Sequence, residues 1–309
     1  MLYFFINPAS RSGKGAKKWA QVEHYLKENN IPYEGHLLEA DVSPRPILET
    51  IFEQEGTNPV SIVLIGGDGT VNQCVNAIPD YTRAELSVIP TGSGNDFCRN
   101  KKIPKKLENQ ISNIVNKKNR LEVDLGTIDF TLADGTDEHR HFVVSTGIGY
   151  DAEVCHLANH SKLKKVLNRF KLGKLVYLSI GVQQIFGAEL SEADVTVDGT
   201  AKHYSNVYFL ATMNQPYEGG GVAMAPDADD TDGILNFMMF HGRNRFKALC
   251  TIPFLYIKKH AGKPGVSLFT GKDIQVAFSN PRVLHTDGEC VENGLCFHAY
   301  LEGKLPFIY

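Results

Sequence analysis

Two regimes of apolar and polar positions divide the chain. In the first, apolar runs alternate with stretches of helical spacing. "LYFFI" opens as a strand, and "GAKKWAQVEHYLKENN" follows with Trp19, Val22 and Leu26 at helical spacing. "YEGHLLEA" reads as a strand, and "PRPILETIFEQEG" as a helix with Ile47, Leu48, Ile51 and Phe52 on one face. "VSIVLI" is almost continuously apolar, as expected of a strand covered on both faces, and "AELSVIP" is a further strand. This β-α-β-α-β rhythm predicts a parallel sheet flanked by helices. From about residue 121 strands instead flank turn-like segments. "RLEVDLGTIDF" and "HRHFVVSTGIG" enclose "ADGTDE", "ADVTVDG" precedes "KHYSNVYFLATMN", and "GILNFMMF" and "KDIQVAFS" follow. That pattern predicts an antiparallel, hairpin-built region with helices near 161–186 and 244–259. The expected fold is α/β, with a parallel-sheet domain at 1–124 and a β-rich domain at 125–297. The closing segment 298–309 is a candidate to return to the first domain.

In parallel α/β sheets ligands bind beyond the carboxyl ends of the strands. Three such ends carry Gly and Ser: "NPASRSGKG", "GGDGTVN" and "PTGSGNDF". The second sets Gly66, Gly67, Asp68, Gly69 and Thr70 where a buried strand meets a helix start. A turn rarely needs three glycines in four positions. Glycines here let backbone approach a ligand closely, and a helix N-terminus favours an anion. Asp68 repels phosphate unless Mg²⁺ stands between them, or unless it helps to activate a hydroxyl. "NPASRSGKG" is not the Walker sequence; Lys14 is in place to reach a phosphate, and a glycine turn with a solvated lysine is the rival reading. In "PTGSGNDF", Thr91 and Ser93 offer hydroxyls, and Asn95 or Asp96 reads as a helix cap.

Composition narrows the setting. The 309 residues are 42% hydrophobic and 22% charged, ordinary for a globular protein, and the net charge of −3 argues against general nucleic-acid binding. Six cysteines form no C-x-x-C pair and read as reduced thiols of a cytoplasmic protein. The longest later apolar stretch, "ALCTIPFLYI", is too short for a bilayer, which takes about 20 residues. A membrane would be met from its surface. "SKLKKVLNRFKLGK" has a basic, acid-free face opposite Leu163, Val166, Leu167 and Phe170, and reads either as a helix on an anionic membrane or as a packed helix with a solvated face. "RNKKIPKK" at 99–106 is a second positive cluster. "GIGYDA" matches a dinucleotide fingerprint, but it falls in the antiparallel region and lacks the downstream acid, so it reads as a decoy. "DADDTDG" could hold a hard divalent cation or be a polar hairpin loop. "HTDGE" puts Asp287 and Glu289 after a strand and the turn "NPR".

Taken together, these motifs resemble the diacylglycerol kinase catalytic-domain family, which includes sphingosine kinases and compact bacterial relatives. "NPASRSGKG", "GGDGTVN", "PTGSGNDFCR", "TGIGYDAEV", "EGGGVAMAPDADDTDG" and "DGE" come in the family's order and cover nearly the whole chain. "GGDGT" is shared with NAD kinases and phosphofructokinases; "GSGNDFCR" favours the lipid branch. The resemblance implies a nucleotide domain of the NAD kinase/phosphofructokinase kind and a sandwich-like second domain. It implies ATP as donor, held at Asn7, Lys14, Gly66, Gly67, Gly69, Thr70, Ser93 and Asn95, with Asp68 in Mg·ATP handling. Glu289 matches the family's general base, and Asp232 with the carbonyls of Asp229 and Ile234 matches a structural Mg²⁺ site. The departures are "LLEADVSP", which offers Glu39 and Asp41 where relatives often have Thr, and D-T-D-G where D-D-G is common. The implied partners are ATP, a lipid alcohol and an anionic membrane surface, with a homodimer left open. A NAD-kinase-like enzyme and a non-catalytic lipid-binding regulator are the rivals.

Overall fold

The computed structural model describes residues 1–40, 42–160 and 173–309. The chain forms two compact units, residues 1–123 with 303–309, and residues 124–302.

In the first unit β1 (Leu2–Ile6), β2 (Tyr33–Leu37), β3 (Val60–Gly66) and β4 (Ala84–Pro90) pair in parallel in the order β2-β1-β3-β4. Phe307, from the chain's last strand, pairs in parallel with Leu86 of β4. Helices α1 (Ser10–Glu28), α2 (Arg45–Gln54), α3 (Asp68–Val75) and α4 (Leu107–Val115) belong to the same unit. Every residue of β1 is buried, which explains its unbroken apolar run. Phe4, Ile6, Val63, Ile65 and Ile89 of the sheet share a core with Val22 and Leu26 of α1 and with Ile111 and Ile114 of α4. Fully burying each such side chain contributes about 1.5–3 kcal/mol. Trp19 stacks obliquely on Phe4 at 5.2 Å, over Gly35, where a Cβ would stand 2.8 Å from the indole. The register sets the functional edge: Ile6 lies opposite Ile65, and Gly66 opposite Pro90. Asn7, Gly67 and Thr91 therefore leave the sheet side by side.

The second unit is antiparallel. The strands that lie in it wholly or in part are β5 (Arg120–Leu132), β6 (Asp137–Phe142), β7 (Ser145–Gly149), β8 (Ser191–Val197), β9 (Thr200–Met213), β10 (Leu235–His241), β11 (Val266–Gly271), β12 (Asp273–Thr286) and β13 (Glu289–Ile308). β12 pairs with β7, β8 and β13, and β9 pairs with β7, β8 and β10. β10 is buried on both faces, as its apolar run suggests. Leu235, Phe237 and Met239 enter one core. Met238 and Phe240 enter another, formed with α5 (Tyr150–His160), α6 (Gly173–Gly187) and α7 (Arg245–Tyr256).

Two expectations change here, and one lies beyond the described residues. "NPR" is not a turn between elements: residues 280–282 lie inside β12, whose register with β13 shifts between Ala277 and Arg282. Pro281 has no N–H to give the ladder, which accounts for an irregularity rather than an end. Asp41 and the side chains of the basic stretch 161–174 fall outside what the structure describes. The cluster at 99–106 is only partly free surface, because Lys101 is buried and donates to Phe97 O at 2.9 Å, and Arg99 pairs with Asp96 at 2.9 Å. Among the described residues no helix is long and apolar enough to cross a membrane.

Candidate active site

The three Gly/Ser loops of the first unit are stitched together by short contacts. Asn7 Nδ2 donates to Thr70 Oγ1 at 3.2 Å, and the hydroxyls of Ser10 and Thr91 share a 2.6 Å hydrogen bond. Thr91 N–H donates to Gly66 O at 2.7 Å. The glycines close loop on loop. A Cβ at Gly66 would stand 2.3 Å from Thr70 Oγ1, and one at Gly67 2.9 Å from Gly92 Cα. Gly15 serves likewise, since a Cβ there would meet Asn7 O at 2.0 Å. Gly69 is exposed on the first turn of α3. Close packing of loops is thus a second reason for the glycines, one that the spacing alone does not separate from phosphate contact.

The loop after β1 is unusual in its backbone. Arg11, Ser12 and Gly13 all have positive φ, at 44°, 58° and 87°, and two of these three are residues for which that region is strained. Lys14 follows, exposed, with its pKa lowered by partial burial and by the neighbouring charges of Arg11 and Lys18. Three cations crowded beside a helix N-terminus are what an anion would relieve.

Asp68 opens α3 and turns its Oδ1 to the N–H of Phe97 at 3.1 Å. It therefore ties "GGDGT" to "PTGSGNDF". The second loop does not start a helix. Residues 95–100 form turns, and the next helix among the described residues is α4 at Leu107. Asn95 is thus no helix cap. It has φ +51°, and its Nδ2 donates back to Gly92 O at 3.0 Å, while its buried Oδ1 has no hydrogen-bond partner. Asn is among the residues that tolerate this left-handed conformation, which explains its place in a Gly-rich turn. Ser93 is exposed in the same loop.

In the second unit "DGE" is a hairpin turn. Thr286 of β12 pairs with Glu289 of β13, and Asp287 and Gly288 between them have φ of +50° and +88°. Two positive φ values in a two-residue loop are the demand that Asp-Gly meets. The segment is therefore not extended at Asp287. Its carboxylate is buried and accepts N–H bonds from Val143, Val144 and Ser145 at 3.1, 2.8 and 3.0 Å. Asp287 fixes the turn, and Glu289 emerges exposed at its end.

Sequence reasoning missed a buried ion cluster beside this turn. His285 Nε2 lies 3.4 Å from Asp151 Oδ2 and 3.9 Å from Glu218 Oε2, with the His285 and Asp151 side chains 5% and 6% exposed. The signal was in "GIGYDA": a Cβ at Gly147 would stand 2.6 Å from Asp151 Oδ2 and 2.9 Å from His285 Nε2, so the glycine makes room for the pair. Burial lowers the His285 pKa, but Asp151 and Glu218 outweigh it, with Cys155 adding to them, and raise it to about 10. Asp151, Glu218 and His285 form a buried ion network whose donor types could also serve a metal. A folded-state pKa above the ordinary value gives stability that is complete below about pH 6.5 and is lost as pH rises through about 10. The expected result is a wild-type melting temperature that falls between pH 7 and 10. His285→Gln should melt lower and flatten that slope; parallel profiles for both proteins would refute the linkage.

Two carboxylates of the acidic loop, Asp229 and Asp232, and Asp124 of β5 each accept a backbone N–H in this region. Asp232 Oδ1 accepts from Ile234 N at 2.9 Å, Asp229 Oδ1 from Thr231 N at 3.0 Å, and buried Asp124 Oδ2 from Gly233 N at 2.7 Å. These bonds brace a hairpin loop. Burial, then the charges of Asp229 and Asp124, raise the Asp232 pKa. These are oxygen donors of the type a hard divalent cation takes, and such an ion would relieve the charge on Asp232, but among the described residues the three do not bring their oxygens together as a ready ligand set. Asp124 was not foreseen in this role, because it lies far away in sequence, on β5.

Two family profiles match the chain in sequence order. The diacylglycerol kinase catalytic domain matches residues 1–128, and the YegS C-terminal NAD kinase beta sandwich-like domain matches residues 143–296. The chain belongs to the diacylglycerol kinase catalytic-domain family. Family membership makes it a relative of lipid kinases, with the ATP-binding and phosphotransferase character of that group. The Bacillus subtilis (strain 168) protein named "Putative lipid kinase YtlR" is 28% identical over 292 residues, 93% of this chain and 92% of its own length. A diacylglycerol kinase of the same strain is 26% identical over 74% of this chain and 70% of its own. A diacylglycerol kinase crystal structure from Bacillus anthracis str. Sterne superposes with a TM-score of 0.72 at 22% identity, over 100% of this chain and 96% of that one, and shows a shared fold.

Proposed function

We propose that the chain is an ATP-dependent lipid kinase that transfers the γ-phosphoryl group to the hydroxyl of diacylglycerol or a similar lipid alcohol. The observation that carries the reading is Asp68, held by Phe97 N–H on a rim whose loops are sewn together by Asn7, Thr70, Ser10 and Thr91. Phosphoryl transfer asks the protein for positioning and charge neutralisation rather than covalent chemistry. In this reading the Lys14 loop and the N-terminus of α3 receive phosphate oxygens, with Gly69 and Ser93 exposed to meet them. Asp68 orients the metal-bound nucleotide. Glu289 takes the proton of the lipid hydroxyl as its oxygen bonds to the γ-phosphorus, and the bond from that phosphorus to the bridging oxygen breaks to leave ADP. Magnesium, when bound, supplies neutralisation of phosphate and carboxylate charge. Asp232, with Asp229 and Asp124, would hold a structural ion in the second unit.

The reading is tested with labelled ATP and a panel of diacylglycerol, monoacylglycerol, sphingosine, ceramide, undecaprenol and NAD. Label in a phosphatidic-acid-type product is expected. Transfer to NAD alone would favour the second reading, which a likeness in fold to yeast NADH kinase (TM-score 0.53, 11% identity) keeps in view. Lipid binding without transfer would favour a regulator.

The proposed ion has its own check. Asp232→Asn removes one negative charge from the crowd, so the rise in melting temperature on adding Mg²⁺ should shrink by half or more, by roughly the linkage of a weakened site. An identical Mg²⁺ response in variant and wild type would return the loop to a braced hairpin.

A further inference from the structure

Helix α7 has its apolar residues on both sides. Ala248, Thr251 and Leu255 are buried against the second unit. The opposite side holds Phe246, Cys250, Pro253 and Ile257, all exposed. Their spacing of i, i+4, i+7 and i+11 puts them on one stripe of the helix. Phe246 is 69% and Ile257 57% exposed, and neighbouring Tyr256 43%. A solvated face at these positions would ordinarily be polar.

Charge surrounds the stripe. No Asp or Glu occurs between Asp232 and Asp273, although the whole chain is net negative. Arg243, Arg245 and Lys247 stand at the start of the helix, and Lys258, Lys259 and Lys263 just beyond its end. The Lys263 ammonium rests 4.3 Å over the Phe254 ring, so its stem follows the apolar surface while its charge stays at the edge.

We infer that α7 is the surface on which this protein docks to an anionic lipid bilayer, lying in the interface with Phe246 and Ile257 among the acyl chains and the basic ends among the headgroups. An apolar stripe flanked by cations at both ends matches an interfacial helix. A second copy is a poorer occupant, because a two-fold contact would bring the same cations face to face. The inference rests on the lipid-kinase reading for its purpose, but its test does not depend on turnover.

The test is co-sedimentation of the full chain with phosphatidylcholine vesicles, with and without phosphatidylglycerol. The wild type should pellet with the anionic vesicles and be released by salt. Phe246→Ser/Ile257→Ser should weaken that partitioning at least about tenfold. Lys258→Glu/Lys259→Glu should weaken it by roughly 25-fold or more at low salt, each charge near such a surface being worth about fivefold. All four sites are exposed, but Lys258 donates to the Tyr217 hydroxyl and lies over its ring, so thermal melts accompany each variant, and an environment-sensitive dye on Cys250 reports insertion in the otherwise unaltered chain. Unchanged sedimentation of both variants, or a dye spectrum that vesicles do not shift, overturns the inference. So does a dimer in sedimentation velocity that Phe246→Ser/Ile257→Ser splits. Transfer to a short-chain, monomeric diacylglycerol should stay at the wild-type rate in these variants. Vesicle binding by a wild type that phosphorylates no lipid would sink the kinase reading and leave the docking surface standing.

Discussion

Asp68→Asn is expected to lose about 10³-fold in kcat while keeping the wild-type melting temperature, a loss of the size seen when one preorganised electrostatic group is removed from a transition state. The choice of Asn follows from the structure. Asp68 Oδ1 accepts the N–H of Phe97, so the carboxylate has a structural duty as well as the proposed chemical one. Alanine would remove both, and a slack "PTGSGNDF" loop could mimic a chemical defect. Asparagine keeps an acceptor for Phe97 and deletes the charge. If charge at this position handles the metal-bound nucleotide, Asn and Ala should be equally inactive, and Ala alone should melt lower, by the worth of a hydrogen bond to a charged group, about 1.5–3 kcal/mol. Turnover of the Asn variant at the wild-type rate would remove Asp68 from the chemistry. An inactive Ala beside an active Asn would leave it as a loop tie only.

What could be read in advance depended on whether local pattern or distant contact decided the outcome. Strand β3 was legible because burial on both faces leaves one continuous apolar run, and the Gly-Gly-Asp-Gly loop because no other residue bears such backbone proximity. The hairpins of the second unit were legible from their Gly-containing turns. The misreadings share another cause. Pro281 looked like punctuation, but a strand held by neighbours on both sides absorbed it as an irregularity. Asn95 looked like a cap, and its positive φ depends on Gly92 and Gly67 closing around it. The His285 cluster joins β12, α5 and the segment after β9, so only the fold assembles it. Helix α7 was visible as an apolar stretch, but nothing local says which side faces out. That is settled by which residues pack on the sheet, and here both sides are apolar.

Glu289→Gln is expected to lower kcat by about 10²- to 10⁴-fold with little change in ATP affinity, the range for removing a positioned general base. Gln keeps the size and can hydrogen-bond, but it cannot take the proton of a substrate hydroxyl. The rival for this role is Asp287, two residues earlier, and the turn separates the two by environment. Glu289 is exposed at the start of β13, free to meet a substrate. Asp287 is buried, and its carboxylate oxygens accept three backbone N–H bonds that favour the charged form and would weaken if it took a proton. Asp287→Asn turns an amide toward those donors and should therefore act on stability, lowering it by about 2–3 kcal/mol. Its kcat per folded molecule, measured below its melting transition, should remain within a few-fold of wild type. The two variants thus exchange phenotypes: Glu289→Gln stable and slow, Asp287→Asn unstable and active. Both are measured with one lipid at saturating Mg·ATP, alongside thermal melts. A Glu289→Gln enzyme as fast as wild type would falsify the base assignment. A folded Asp287→Asn enzyme that is the slower of the two would move the proton transfer to the turn itself, against the hydrogen bonds that now hold it.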